Sequence, residues 1–249
     1  MPRFFIENLS KSPGESLTVT GQDAVHIAKS LRMKPGEVLT VCGGLGFDML
    51  CEITGVFPDA VELSVKEVQA TQSEPSVRIT LYQGLPKGDK LELIIEKTIE
   101  LGVCGIIPVL MQRSVSRPDA RSAAKKHERY QKQAVSATKQ CGRGIIPEVG
   151  EMSAFSALPE CLKHHQAVIF FYECGGEPLS TVIGRLLERQ ATDVAIVIGP
   201  EGGFDPAEAE ALQASGAFTA TLGRRILRTE TAPIAALAAI MYATGNMDG

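Results

Sequence analysis

The sequence predicts an α/β protein in two parts, a small β-barrel followed by a mainly parallel sheet covered by helices. Three observations carry that prediction. The first 68 residues hold short extended-type runs separated by turn residues. From Val77 onward, compact apolar runs alternate with helical segments. Between them lies a polar, proline-containing stretch without apolar periodicity, Gln69 to Ser76 (QATQSEPS). At 249 residues the chain is long enough to bury a substantial core. The expected division is residues 1–70 and 75–249.

In the first part, Ser16–Thr20, Val38–Cys42, Phe47–Ile53 and Ala60–Val68 read as strands, with Gly43-Gly44 and Pro58-Asp59 as breakers. One helical stretch, near Asp23–Leu31, interrupts them. The set suits a barrel of OB-like or PUA-like size. In the second part the buried-type strands are Val77–Tyr82, Gly105–Leu110, Ala167–Tyr172, Val194–Ile198 and Ala217–Leu222. Helices are expected near Asp89–Leu101, Ser122–Gln140, Leu179–Arg189, Ala207–Ala214 and Ala232–Ala243. In the first of these, Leu91, Ile94/Ile95 and Thr98/Ile99 form one apolar stripe. Glu92, Glu96 and Glu100 lie four apart on the other side, a repulsive spacing that reads as a solvated face.

Composition narrows the functional classes. Hydrophobic residues make up 44% and charged residues 22%, as in ordinary globular proteins. The opening MPRFFIENLSKSPGE lacks the basic and apolar regions of a secretory leader. The apolar run Thr231–Ala243 is too short for a bilayer, which needs about 20 residues. A cytoplasmic protein without a membrane partner is expected. Six cysteines (42, 51, 104, 141, 161, 174) form no CxxC pair and do not cluster with the four histidines, so neither a disulfide scaffold nor a metal site is expected. The net charge of −4 conceals a basic stretch: Arg113 to Arg143 holds nine Lys/Arg against two Asp/Glu. Such a run is either a solvated helix face or a surface for phosphates.

The strongest local motif is Val194–Ile198 followed by Gly199-Pro-Glu-Gly-Gly203 and Phe204. Asp205 fits an N-cap and Pro206 a first helical position, so a glycine loop joins a strand's carboxyl end to a helix. Ligands of open α/β sheets bind at that place, and glycines let backbone approach them closely. No Gly-Lys-Ser/Thr follows the strand, and the loop does not match G-x-G-x-x-G, which weakens nucleotide-dependent metabolic readings. A second loop, Thr221-Leu-Gly-Arg-Arg-Ile-Leu-Arg-Thr-Glu-Thr-Ala232, follows the next strand, and Tyr172-Glu173 ends a third. Three loops at strand ends make a pocket.

Taken together, Ile198–Gly203 and Leu222–Ala232 resemble the cofactor-binding signature of the SPOUT methyltransferases. The wording of the second motif is similar to the RsmE family, as are Lys87-Gly-Asp-Lys-Leu-Glu92 with Glu96-Lys97 and Glu100-Leu-Gly102, Arg3-Phe4-Phe5, and the segment His26–Glu37. The resemblance covers the whole chain. It implies a PUA-like barrel that binds RNA, a SPOUT domain with a deep trefoil knot, a homodimer, and methylation of a uridine N3 in 16S ribosomal RNA of the small subunit. The cofactor implied is S-adenosyl-L-methionine (SAM). Its site would comprise Tyr172, Glu173, Ile198, Gly199, Pro200, Gly202, Leu222, Gly223, Ile226, Leu227 and Arg228, with Glu173 near the ribose. RNA contacts would come from Arg3, His26, Arg32, Lys34, Lys87, Arg113 and Arg143.

The uracil N3 carries a proton that must leave, and a carboxylate such as Glu201 or Glu230 is a candidate acceptor. Arg228 is placed to stabilise charge developing on the uracil oxygens. The ribose 2′-O-methylating branch carries an asparagine and an arginine at the start of the domain, whereas this chain has only Asn8 and Asn246. A non-catalytic RNA-binding protein would have lost its cofactor loops, and both are intact.

Overall fold

Alternating side chains build the first sheet. In the computed structural model, which describes residues 1–7 and 9–248, Ser16–Thr20 (β2) buries Leu17 and Val19 and exposes the residues between them. The same logic governs β4 (Phe47–Val56) and the first part of β5 (Ala60–Ala70), while β3 (Val38–Cys42) is buried throughout after Val38 and Arg3–Phe5 (β1) adds Phe4. The order is β1-β3-β4-β5-β2, antiparallel except for β1 beside β3. All five strands line one core, with Leu39, Val41, Met49, Ile53, Val61 and Leu63 at its centre. Two register shifts in β4, at Leu50/Cys51 and Ile53/Gly55, bend it.

The structure corrects two details here. The polar stretch after Val68 does not begin as linker, because Asp48 and Phe47 pair with Gln69 and Ala70. Ladder hydrogen bonds need no apolar side chains, so composition alone could not show this. The stretch expected to be helical is a short helix, Gly21–Val25 (α1), continued by a π turn at His26–Ser30. Its wide turn is closed by Leu31 N–H donating to the His26 carbonyl.

The chain divides into two compact units, Met1–Glu74 with Lys139–Ile146, and Pro75–Thr138 with Pro147–Gly249. The returning segment completes the first unit. Glu74 accepts hydrogen bonds from the Gly144 and Ile145 amides and pairs with Arg143 at 2.6 Å, and Arg3 donates to the Gly142 carbonyl.

In the second unit every strand pair is parallel. The long strands are β6 (Arg78–Gly84), β7 (Gly105–Leu110), β10 (Ala167–Phe171), β12 (Asp193–Ile198) and β13 (Phe218–Thr221). Two-residue strands β8 (Glu148–Val149), β9 (Ser153–Ala154) and β11 (Glu177–Pro178) extend the edges, giving the order β11-β13-β10-β12-β6-β7-β8 with β9 also on β7. Unbroken burial of Val194–Ile198 suits a strand covered on both faces. Helices α2 (Lys90–Glu100), α3 (Ala120–Cys141), α4 (Leu158–Leu162), α5 (Leu179–Glu188), α6 (Pro206–Ala214) and α7 (Ala232–Ala243) supply the cover. The predicted stripe of α2 is its buried face, Leu91, Ile94, Ile95, Thr98 and Ile99. Its acidic row is compensated rather than left to solvent: Glu92 pairs with Arg129 at 2.6 Å, while Lys97 pairs with Glu96 and Glu100.

Candidate cofactor and substrate cleft

Four neighbouring strands, β13, β10, β12 and β6, end on the same side of the sheet, and their following segments enclose a cavity of about 680 Å³. The volume lies in the range of small-molecule sites. After β12 the chain turns through Gly199–Phe204 into α6. Asp205 caps that helix by accepting from the Ala207 amide, Glu208 returns a bond to the Asp205 amide, and Pro206 occupies the first turn, as the sequence predicted. The loop lies close to its neighbours. A Cβ on Gly84 would stand 2.5 Å from the Pro200 nitrogen. Gly203 has φ +69°, and a Cβ there would overlap the Glu173 carboxylate. That carboxylate accepts from the Phe204 amide at 3.1 Å, joining the end of β10 to the glycine loop.

The cavity wall contains Tyr172, Glu173, Ile198, Gly199, Pro200, Gly202, Leu222, Gly223, Ile226, Leu227 and Arg228. These are the residues singled out for a cofactor. Glu201 and Lys87 also line it, whereas Glu230 does not. Arg113 lies against the outside of the glycine loop, its guanidinium donating to the Gly202 carbonyl at 3.1 Å.

Three residues that sequence reasoning missed organise the cleft. Lys90, at the start of α2, places its ammonium 3.2 Å from Glu201 and 3.1 Å from Glu230. The Lys87 amide donates to Glu201 as well. Burial pushes the Glu230 carboxyl up, but a hydrogen bond from its own amide and the Lys90 ammonium outweigh that and hold it below the ordinary carboxylate value. Hydrogen bonds to Glu230 and Glu201 raise Lys90 above the ordinary lysine value. Gln83 lies buried behind the wall and Thr229, also buried, forms part of it, its hydroxyl donating to the Gly199 carbonyl at 2.8 Å. A lysine at the end of the Lys87-Gly-Asp-Lys90 motif was a usable signal, whereas a glutamine inside an apolar strand gave little.

The remaining candidates for RNA lie in the first unit. His26, Arg32 and Lys34 are exposed, and Arg32 holds φ 55°, a conformation that side-chain-bearing residues seldom adopt. Arg143 does not fit a surface role here: it is 4% exposed, and its guanidinium binds Glu74. The guanidinium of Arg3 is also engaged, with Asp48 at 2.9 Å and the Gly142 carbonyl. A buried carboxylate needs a partner, and this need uses arginines that would read as phosphate contacts in the sequence.

Among the described residues no three His, Cys, Asp or Glu side chains converge as metal ligands, and no helix is long and apolar enough to cross a membrane.

A backbone-lined cleft at the carboxyl edge of a parallel sheet, in a chain that also carries a separate small β unit, defines a two-part α/β RNA methyltransferase. Comparison with known families agrees. Residues 72–241 match the RNA methyltransferase domain and residues 19–66 the RNA methyltransferase PUA domain. The ribosomal RNA small subunit methyltransferase E of Bacillus subtilis is 37% identical over 100% of this chain and 99% of its own length. A solved ribosomal RNA small subunit methyltransferase E from Neisseria gonorrhoeae, bound to S-adenosyl methionine, is 30% identical with a TM-score of 0.79, covering 97% of both chains. A putative methyltransferase from Legionella pneumophila in complex with SAM is 29% identical with the same TM-score and coverage. This chain belongs to the ribosomal RNA small subunit methyltransferase E family, within the SPOUT class.

Proposed function

We propose that this protein transfers a methyl group from SAM to the N3 position of one uridine in 16S ribosomal RNA. The observation that carries this reading is the convergence of three motif loops on one cavity at the sheet's carboxyl edge. The residues present fit SAM. Gly199, Gly202, Gly203 and Gly223 keep side chains out of the slot, and the surrounding wall presents backbone groups between Ile198, Leu222 and Leu227. When bound, SAM supplies an electrophilic methyl group, so rate depends largely on holding the acceptor nitrogen in line with it.

The chain's own groups divide the remaining work. Uracil N3–H must lose its proton; of the two candidate carboxylates, Glu201 is on the wall and Glu230 is not. The depressed pKa of Glu230 makes it a poor proton acceptor, and its place off the wall fits it to holding Lys90 in position. Glu201 is therefore the first candidate for the base. Arg228, exposed on the wall, offers a fixed charge to the uracil oxygens. His26, Arg32 and Lys34 of the PUA unit would bind RNA phosphates, with Lys87 and Arg113 near the cleft. The reactive uridine would leave its stack to enter. The reading includes cytoplasmic action, the deep trefoil knot and a homodimer. For the dimer it draws support from large apolar side chains left exposed on the second unit, among them Ile226 (87%), Tyr242 (71%) and Leu93 (45%).

The test is methylation of small ribosomal subunits lacking this modification, with labelled SAM and mapping of the product nucleoside. One 3-methyluridine in 16S RNA is expected. A 2′-O-methylated product, or no transfer despite SAM binding, would overturn it.

A further inference from the structure

We infer that Gln83 is a positioning residue that locks the two SAM-binding loops to each other from beneath the cavity; this rests on the reading of that cavity as the SAM site. Gln83 is at the carboxyl end of β6, fully buried, and does not itself line the cavity. Its side-chain nitrogen donates to the Thr229 hydroxyl at 3.0 Å, to the Gly84 carbonyl at 3.1 Å and, at 3.5 Å, towards the Gly199 carbonyl. Thr229 passes its one proton to the same Gly199 carbonyl at 2.8 Å. Gly199 belongs to the loop after β12, and Thr229 to the loop after β13. One amide thus fixes both.

The orientation of the amide is set by its surroundings. Acceptors surround the nitrogen, and a flipped group would point its oxygen at two carbonyls. The oxygen Oε1 is then buried without a hydrogen-bond partner. An orphaned buried carbonyl costs stability that an apolar side chain of similar size would avoid. A residue that weakens the core while tying two ligand loops together is explained by what the loops do. The Gly199 carbonyl, held by Thr229 and Gln83, sets the plane of the Gly199–Pro200 peptide, and Gly84 gives that peptide room to sit on β6.

The experiment is calorimetric SAM titration of the full chain and of Gln83→Leu, Gln83→Glu, Thr229→Val and the double variant Gln83→Leu/Thr229→Val, with unfolding midpoints measured alongside. Gln83→Leu and Thr229→Val should each weaken SAM about tenfold, and the double variant should lose little more, because both remove one shared link. Gln83→Glu carries the sharper readout. Burial raises a carboxyl pKa, and the protonated acid regains one donor. Its affinity relative to wild type should therefore recover as pH falls from about 8.5 to 6. Equal SAM affinity in Gln83→Leu and wild type would overturn the inference. So would a Gln83→Glu deficit independent of pH, or variants that shift only the unfolding midpoint. Failure of the wild-type protein to bind SAM would instead overturn the reading of the cavity.

Discussion

Lys90 bridges two carboxylates with one ammonium, and the signs of the pKa shifts define when that arrangement holds. The folded value of Glu230 is depressed, so its contribution to stability is present above the ordinary carboxylate range and is lost as pH falls through the depressed value. That of Lys90 is raised, so its contribution is present below the ordinary lysine value and lost as pH rises through the raised one. Lys90→Met should lower the unfolding midpoint at neutral pH, and its deficit against wild type should shrink in acid as Glu230 protonates; thermal melts across pH check this. Glu201→Gln should reduce kcat more than Glu230→Gln if Glu201 takes the N3 proton. Gly199→Val places a Cβ 3.2 Å from the Phe204 ring and branches it beside the cavity wall, so calorimetry should show SAM binding abolished with the fold retained. Arg228→Ala should lower kcat by roughly 10²-fold with little change in SAM affinity, the pattern of a group acting mainly in the transition state. At this scale the sequence made the loop residues legible, because glycine and charge clusters at strand ends stand out. Gln83, Thr229 and Lys90 stayed hidden because their roles depend on partners roughly a hundred or more positions away, at Gly199, Glu201, Thr229 and Glu230.

Elements with a clear period were legible, and very short ones were not. β6, β7, β10, β12 and β13, with their helices, follow from apolar runs and helical spacing. β8, β9 and β11 are two residues each, too short to show any alternation, and exist only because a neighbouring strand offers backbone partners. β1 is three residues long and is defined by its pairing with Thr40, Val41 and Cys42. The start of α6 shows how local chemistry places an element for use. Glu208, 6% exposed, accepts from the Gln112 amide at 2.8 Å while closing the capping box. It therefore fixes the segment before Arg113 against the helix that follows the glycine loop. Glu208→Ala leaves two amides without their acceptor and should cost about 2 kcal/mol in chemical denaturation. Glu208→Gln, which keeps an acceptor, should cost less.

At the scale of the whole molecule, the chain's net charge misled less than its distribution suggested. The basic stretch Arg113–Arg143 is not a uniform phosphate face, since Arg129 pairs with Glu92, Lys139 with Glu7 and Arg143 with Glu74. Reversing charge at Arg32 and Lys34 should weaken RNA binding while leaving SAM affinity intact, which filter binding and calorimetry would separate. Tyr242→Asp should shift sedimentation towards a monomer if the exposed apolar side chains form the dimer contact. The returning segment Lys139–Ile146 has a further consequence, for biosynthesis. Its Arg143 and the amides after it satisfy Glu74, so the first unit cannot close when residue 74 leaves the ribosome. All of Pro75–Thr138 must be translated first, a wait of roughly 3 to 13 s at about 5–20 residues per second. During that interval the first unit lacks its returning segment, so a newborn chain is most open to proteases and chaperones before its second half has been made.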